Sequence, residues 1–133
     1  MTATRHASLL FDATPHQVRD VLLDALSLPE WNPAFLSMAG PSRVTLDAEY
    51  QLVVRPGLTG RLVYRAVDPC RVQMAWHVPG FAEVGTWHLA ASRERTLVRH
   101  DFTHAGPLAA ALGRAYRGVA ELRLERLEQR LAR

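Results

Sequence analysis

Apolar and polar residues alternate with a period of two through the middle of the chain, which is the signature of half-buried β-strands. Five such runs stand between Glu49 and His104: Glu49–Arg55, Thr59–Val67, Arg71–Val78, Phe81–Ala91 and Arg95–His104. Pro56-Gly57, Asp68-Pro69, Pro79-Gly80 and the polar stretch Ser92-Arg93-Glu94 separate them, so successive strands are joined by short turns and pair antiparallel. Upstream, His6–Phe11 predicts a strand, and Leu36–Val44 an irregular one with a break at Gly40-Pro41.

Helical spacing marks the two ends of the chain. Thr14-Pro15-His16-Gln17 predicts a helix start, with Thr14 as N-cap, Pro15 at the first helical position and Gln17 closing a capping box. Val18, Val21, Leu22, Ala25 and Leu26 carry that helix to about Leu26. Pro29 and Pro33 then allow only a single helical turn, carrying Trp31. From Pro107 to Arg133 the pattern predicts one long amphipathic helix. Leu108, Leu112, Ala115, Val119 and Leu122 form a stripe, which drifts toward Tyr116, Ala120, Leu124, Leu127 and Leu131. Arg123, Arg126 and Arg130 fill the angle left by the first stripe, and Arg117, Glu121, Glu125 and Glu128 form a polar back. A helix of this length cannot bury its leucines alone. The predicted fold is therefore α+β: a curved antiparallel sheet of about seven strands around a long C-terminal helix, with two short helices after the first strand.

Composition narrows the classes. A chain of 133 residues, 48% hydrophobic and 22% charged, predicts one domain over residues 1–133 with a substantial core. A single cysteine, Cys70, excludes an internal disulfide framework and a Cys-based zinc site. The N-terminus lacks a basic start followed by an apolar run, and no apolar stretch approaches the roughly 18 residues of a membrane span, so a cytoplasmic location is expected. The net charge of +3 comes with sixteen arginines and no lysine, but these are spread along the chain, so no nucleic-acid partner is expected. Six histidines raise the question of a metal. No His-x-x-x-His on a helix and no carboxylate at ligand spacing completes a site, even where His77/His88 or His100/His104 could approach on neighbouring strands. No metal or other cofactor is expected. No Gly-x-Ser-x-Gly elbow and no glycine-rich phosphate loop is present.

Several pieces, in their order, resemble the START-like (SRPBCC) superfamily in its polyketide cyclase/dehydrase branch. They are the opening strand followed by Ala13-Thr14-Pro15, the segment Leu28-Pro29-Glu30-Trp31-Asn32-Pro33, and Gly85-Thr86-Trp87-His88-Leu89 before a polar turn. The last is Thr96–Thr103 running into Gly106-Pro107 and the final helix. The resemblance spans essentially the whole chain. It implies the helix-grip fold, with a deep cavity between the sheet's concave face and the C-terminal helix for a sterol, lipid, hormone or aromatic polyketide. The Trp- and Ser-containing strand motif of the bacterial polyketide aromatase/cyclases is missing, so no catalytic residue carries over.

Sorting the strands by face gives the candidate site. Glu83 and His100 fall on otherwise apolar faces, where a carboxylate and an imidazole could act as acid and base. Tyr50 and Tyr64 do the same in the first half of the sheet, with hydroxyls suited to a carbonyl or phenol oxygen. Ala66 is assigned to the face of Leu62 and Tyr64. Trp31, Trp76, Phe81, Trp87 and Phe102, with Leu112 and Tyr116 from the C-terminal segment, supply apolar walls. The expected function is binding of a hydrophobic polyketide- or lipid-like molecule, with cyclisation or dehydration as the chemistry Glu83 and His100 would serve. The alternatives are a non-catalytic carrier or sensor, and an interaction module contacting a partner through Arg123, Arg126 and Arg130. A monomer or homodimer is expected.

Overall fold

In the computed structural model, which describes residues 3–132, seven strands form one antiparallel sheet. They are β1 (Ala3–Phe11), β2 (Phe35–Ala39), β3 (Tyr50–Val54), β4 (Leu58–Asp68), β5 (Arg71–Val78), β6 (Phe81–Ser92) and β7 (Arg95–Ala105). The order across the sheet is β1-β7-β6-β5-β4-β3-β2. From β2 to β7 every neighbour is also the next strand in sequence, as the short turns require, and β1 returns to pair with β7. Between β1 and β2 stand α1 (Pro15–Leu22) and a 3₁₀ helix (Ala25–Glu30). After β7 come α2 (Ala109–Leu112) and α3 (Val119–Leu131).

The start of α1 follows its sequence signal. Gln17 N donates to Thr14 Oγ1, and Thr14 N donates to the Gln17 side chain at 2.9 Å. Its end comes earlier than the spacing predicts, at Leu22. The Leu22 carbonyl accepts the Tyr64 hydroxyl at 2.6 Å, and the chain tightens into the 3₁₀ helix that reaches Pro29. β2 likewise stops at Ala39, short of Val44. Gly40 passes so close to the Tyr50 ring that a Cβ there would lie 2.5 Å from it, and Tyr50 donates its hydroxyl to Pro41 O at 2.7 Å.

The C-terminal segment is not one helix. Gly113 and Gly118 interrupt it, and Gly118, with a left-handed φ of 78°, is the N-cap from which α3 starts. A helix running through both glycines would carry their cost, about 1 kcal/mol each relative to alanine in a helix interior. The break also decides which stripe is buried. Ala120, Leu124 and Leu127 of the second set are in the core, whereas Leu108 of the first set is 40% exposed and Ala115 is exposed. Full burial of Leu124 and Leu127 contributes about 1.5–3 kcal/mol each.

Period two assigns the strand faces correctly except at one place. The β4–β5 register shifts between Tyr64 and Ala66, so Ala66 pairs with the outward Gln73 and Val67 takes the inward position opposite Val72. Such a bulge inserts one residue and inverts the alternation beyond it. Tyr50, Leu52, Leu62, Tyr64, Val72, Trp76, Phe81, Trp87, Val98 and Phe102 all reach the core from the inner face. On β4, a Cβ added to Gly60 would stand 1.8 Å from His77 O, a backbone atom that cannot yield without moving β5. Gly60→Ala is therefore expected to destabilise the protein by about 1–3 kcal/mol. Urea denaturation at neutral pH would show it as a lowered midpoint.

Candidate functional site

The inner face of the sheet is largely apolar, and among the described residues its buried charged and imidazole side chains gather in one cluster between β6, β7 and α3. Glu83 sits on β6 and is 4% exposed; His100 and His104 sit on β7, 1% and 3% exposed; Arg123 comes from α3, 1% exposed. Gly85, also on the inner face, makes room for them: a Cβ there would lie 3.3 Å from Glu83 Oε2 and 3.5 Å from His100 Cε1.

Arg123 grips Glu83 with both arms, donating from Nη1 to Oε2 at 2.9 Å and from Nη2 to Oε1 at 3.0 Å. His104 Nε2 donates to Oε1 at 2.8 Å and Trp76 Nε1 to Oε2 at 3.1 Å. The carboxylate is thus engaged on both oxygens twice. Arg123 Nη1 also reaches His100 Nε2 at 3.2 Å. An arginine only donates, so His100 Nε2 is the bare nitrogen and Nδ1 carries the hydrogen that goes to Thr86 O at 3.1 Å. His100 is in this way fixed as one neutral tautomer.

The protonation states follow from burial and partners. Burial alone would raise the Glu83 pKa. The Arg123 charge and the hydrogen bonds from His104 and Arg123 outweigh it and hold the carboxyl at about 2. For His100, burial comes first and the Arg123 charge second; together they lower its pKa to about 3. Burial raises the Tyr116 phenol to about 12 and pushes Tyr50 and Tyr64 up as well.

Aromatic rings enclose the cluster. Trp87 stacks on His100 with centroids 3.7 Å apart, and Trp31 meets Trp87 edge-on at 5.6 Å. Phe102 lies 4.8 Å from the Arg123 guanidinium carbon. Tyr116, half-buried in the segment between α2 and α3, stacks on Phe81 at 5.4 Å and meets His104 at 4.2 Å. Among the described residues, two buried side-chain donors have no protein partner, Arg123 Nε and Trp31 Nε1. Each such group costs about 1–3 kcal/mol.

The structure gathers Glu83, His100, Trp31, Trp76, Phe81, Trp87, Phe102 and Tyr116 around one point. Tyr50 and Tyr64 meet each other at 6.2 Å, and their hydroxyls donate to backbone carbonyls at Pro41 and Leu22. Leu112 packs at the edge of the core. Arg123 is a correction. The interaction-module alternative turned it, with Arg126 and Arg130, toward a partner, yet it points inward onto Glu83, and Arg130 pairs with Glu30 at 2.8 Å. A signal for it existed: Ala120, Arg123, Leu124 and Leu127 follow the i, i+3, i+4, i+7 template, with an arginine inside the stripe. Among the described residues, no group of three His, Cys, Asp or Glu side chains is placed to hold a metal ion. No helix among them is long and apolar enough to cross a membrane.

Comparison with known proteins agrees with this architecture. The fold, a seven-stranded sheet curved around a C-terminal helix, is the helix grip of the START-like superfamily. The chain belongs to the family described as "Polyketide cyclase / dehydrase and lipid transport", which matches residues 2–132. A Thermus thermophilus protein is similar in structure with a TM-score of 0.76 and 17% identity, covering 98% of this chain and 97% of that one. A START superfamily protein from Mycobacterium smegmatis aligns at 0.75 and 14%, covering 97% of each. The di-domain ARO/CYC StfQ of the steffimycin biosynthetic pathway aligns at 0.75 and 13%, over 97% of this chain and 50% of that one. No curated protein matches the chain.

Two outcomes are expected from the cluster. Glu83→Gln or Arg123→Met alone should each cost about 3–5 kcal/mol, because each strands a buried partner. The double variant should cost clearly less than the two together, as a denaturation double-mutant cycle would show. Acid should also weaken the fold in two windows. His100 stays neutral in the folded protein down to about 3, against an ordinary 6.5, so below pH 6.5 the unfolded chain binds a proton that the folded one refuses. Stability therefore falls as pH drops from 6.5, by up to about 1.4 kcal/mol per unit. Glu83, lowered from 4.5 to about 2, contributes stability that is lost between those values. Denaturation midpoints measured from pH 7 to pH 4.5 should show a shallower slope in His100→Gln.

Proposed function

We propose that this protein binds a hydrophobic small molecule of polyketide or lipid type between the inner face of the sheet and the C-terminal segment, with the Glu83–Arg123–His100 cluster as the polar end of the site. One observation carries the reading: a cluster of charged and imidazole side chains, ringed by Trp31, Trp76, Phe81, Trp87, Phe102 and Tyr116, stands in a largely apolar grip. Convergent polar groups on an apolar wall are what a small-molecule site requires. Family membership supports the same ligand class.

Access is through the segment from Gly106 to Gly118, which carries Tyr116 over Phe81 and His104. Glycines with positive φ stand at its two ends. Leu108 N donates to Gly80 O at 3.0 Å, and Arg5 Nη2 donates to Gly113 O at 2.8 Å, tying the segment to the sheet. Swinging Tyr116 outward vacates a ring-sized space beside the cluster.

The paired state of Glu83 and His100 bears on catalysis. Glu83 is ionised with both oxygens engaged, and His100 uses both nitrogens. Acid/base chemistry for cyclisation or dehydration begins only when a ligand oxygen draws Arg123 away, freeing His100 Nε2 as the base. A carrier or sensor needs no such exchange, and the saturated hydrogen bonds of Glu83 favour that second reading.

Native mass spectrometry of the protein purified from its host, with the released small molecule identified after denaturation, tests the binding. An aromatic or lipid-like compound at one per chain is expected. An empty protein with no thermal shift from a panel of hydrophobic ligands would overturn it. With that compound as substrate, loss of product in Glu83→Gln and His100→Ala would mark an enzyme. Unchanged product in both variants would remove Glu83 and His100 as its acid and base, and no product in the parent protein would mark a carrier.

A further inference from the structure

We propose that the outer face of the sheet is a second interaction surface, and that it takes an acidic amphipathic helix of a partner protein against Arg61 and Arg65. This surface lies across the sheet from the small-molecule site, and the proposal stands whether or not that site is filled.

Two hollows indent the outer face side by side. One, of about 220 Å³, is centred on β3 and bounded by Ser37, Ala39, Gln51, Val53, Thr59 and Arg61. The other, of about 280 Å³, is centred on β5. Val63, Ala75, Ala82 and Val84 form its floor, and Arg61, Arg65, His77 and Glu49 its rim. Trp76 and Glu83, which also border it, send their side chains to the inner face. Ala75 is only 8% exposed, so the surrounding side chains rise well above it. Arg61 borders both hollows.

The rim is complementary to negative charge. The register of β4 against β5 shifts between Tyr64 and Ala66, so Arg65 is the extra residue of the bulge, and it stands exposed on the outer face. Arg61 Nη1 donates to the adjacent Gly60 O at 3.2 Å. Among the described residues, neither Arg61 nor Arg65 has a carboxylate partner. The exposed Glu49 is the one acid on the rim. Acidic segments are recognised by arginines placed in this way.

Spacing selects the form of the partner. The hollows are centred two strands apart, about 10 Å. Residues i and i+7 of a helix share a face about 10.5 Å apart, whereas same-face residues of an extended chain lie about 6.6 or 13 Å apart. A helix with apolar side chains at i and i+7 fills both hollows, and acids between them meet Arg61. A nucleic acid would find charge but no ring to stack on, because the Phe, Tyr and Trp side chains pack in or against the core. A second copy of this chain offers the exposed Glu121, Glu125 and Glu128 of α3, but Leu124 and Leu127 beside them are buried against their own sheet. Its charge comes without an anchor.

The test uses fluorescein-labelled helical peptides of about 14 residues, four turns, titrated into the full chain and read by anisotropy. The first carries glutamates with leucines at i and i+7. The second has alanines for the leucines, and the third has lysines for the glutamates. The first is expected to bind about tenfold or more tighter than either of the others. Arg61→Glu combined with Arg65→Glu should weaken it about tenfold or more. Arg71→Glu combined with Arg99→Glu makes the same charge change farther along the outer face, on either side of His88, and should leave binding within about twofold. Circular dichroism melts confirm that the double variants are folded, and if the first is not, Arg65→Gln decides in its place. Equal binding of the first two peptides overturns the proposal, because the hollows then hold no anchor. Tighter binding of the lysine peptide, or no binding of the first, overturns it as well. An equal loss in both double variants reduces the effect to bulk charge and overturns it. Duplex DNA that binds more tightly than the first peptide overturns it in favour of a nucleic acid. A dimer seen by light scattering and dissolved by the Arg61/Arg65 reversal gives the hollows to a second copy and overturns it too.

Discussion

A buried guanidinium–carboxylate pair holds the two halves of this molecule in register. Arg123 stands on the last helix and Glu83 on the sheet, forty positions earlier, and both are withdrawn from water. Neither charge is tolerable in the interior alone, so the helix packs where its arginine meets the carboxylate. Apolar stripes slide over one another at little cost, whereas a two-armed ion pair has one geometry. The rotation of α3 about its axis, and with it the burial of Leu124 and Leu127, is tied to that contact.

The surrounding residues extend the constraint. Trp76 and His104 complete the hydrogen bonds of the carboxylate, and His100 accepts from the other side of the arginine. Gly85 provides the space, and Trp87 and Phe102 provide flat walls that exclude water. Exclusion of water is what keeps His100 neutral and makes each remaining unpartnered donor matter. Structure and chemistry are hard to separate here, since the groups that fix the helix are also those a ligand would meet.

Much of the fold was legible in the sequence because it rests on local rules. Period-two alternation and Pro-Gly or Asp-Pro breaks gave β3 to β7 and their hairpin order, and the Thr14-Pro15-Gln17 signal gave the start of α1. Glu83 and His100 were found because an ionisable residue on an apolar strand face stands out against its neighbours. The misses have equally local causes. A bulge at Arg65 inverted the alternation for Ala66, and two glycines broke a helix whose stripe ran past them.

The sequence by itself determined β3 to β7, their faces up to the bulge in β4, and the α+β class, since these depend on residues within a few positions of one another. Only the tertiary structure decided which stripe of the last helix is buried, that Arg123 turns inward, and that His104 and Trp76 share Glu83 with it. Those outcomes depend on groups 7 to 40 residues apart along the chain, brought together by sheet pairing and helix docking. An arginine in a mixed stripe is compatible with a solvated or a buried position. The choice is made by the presence of a carboxylate at the right depth on another element, which no periodicity within the helix can express.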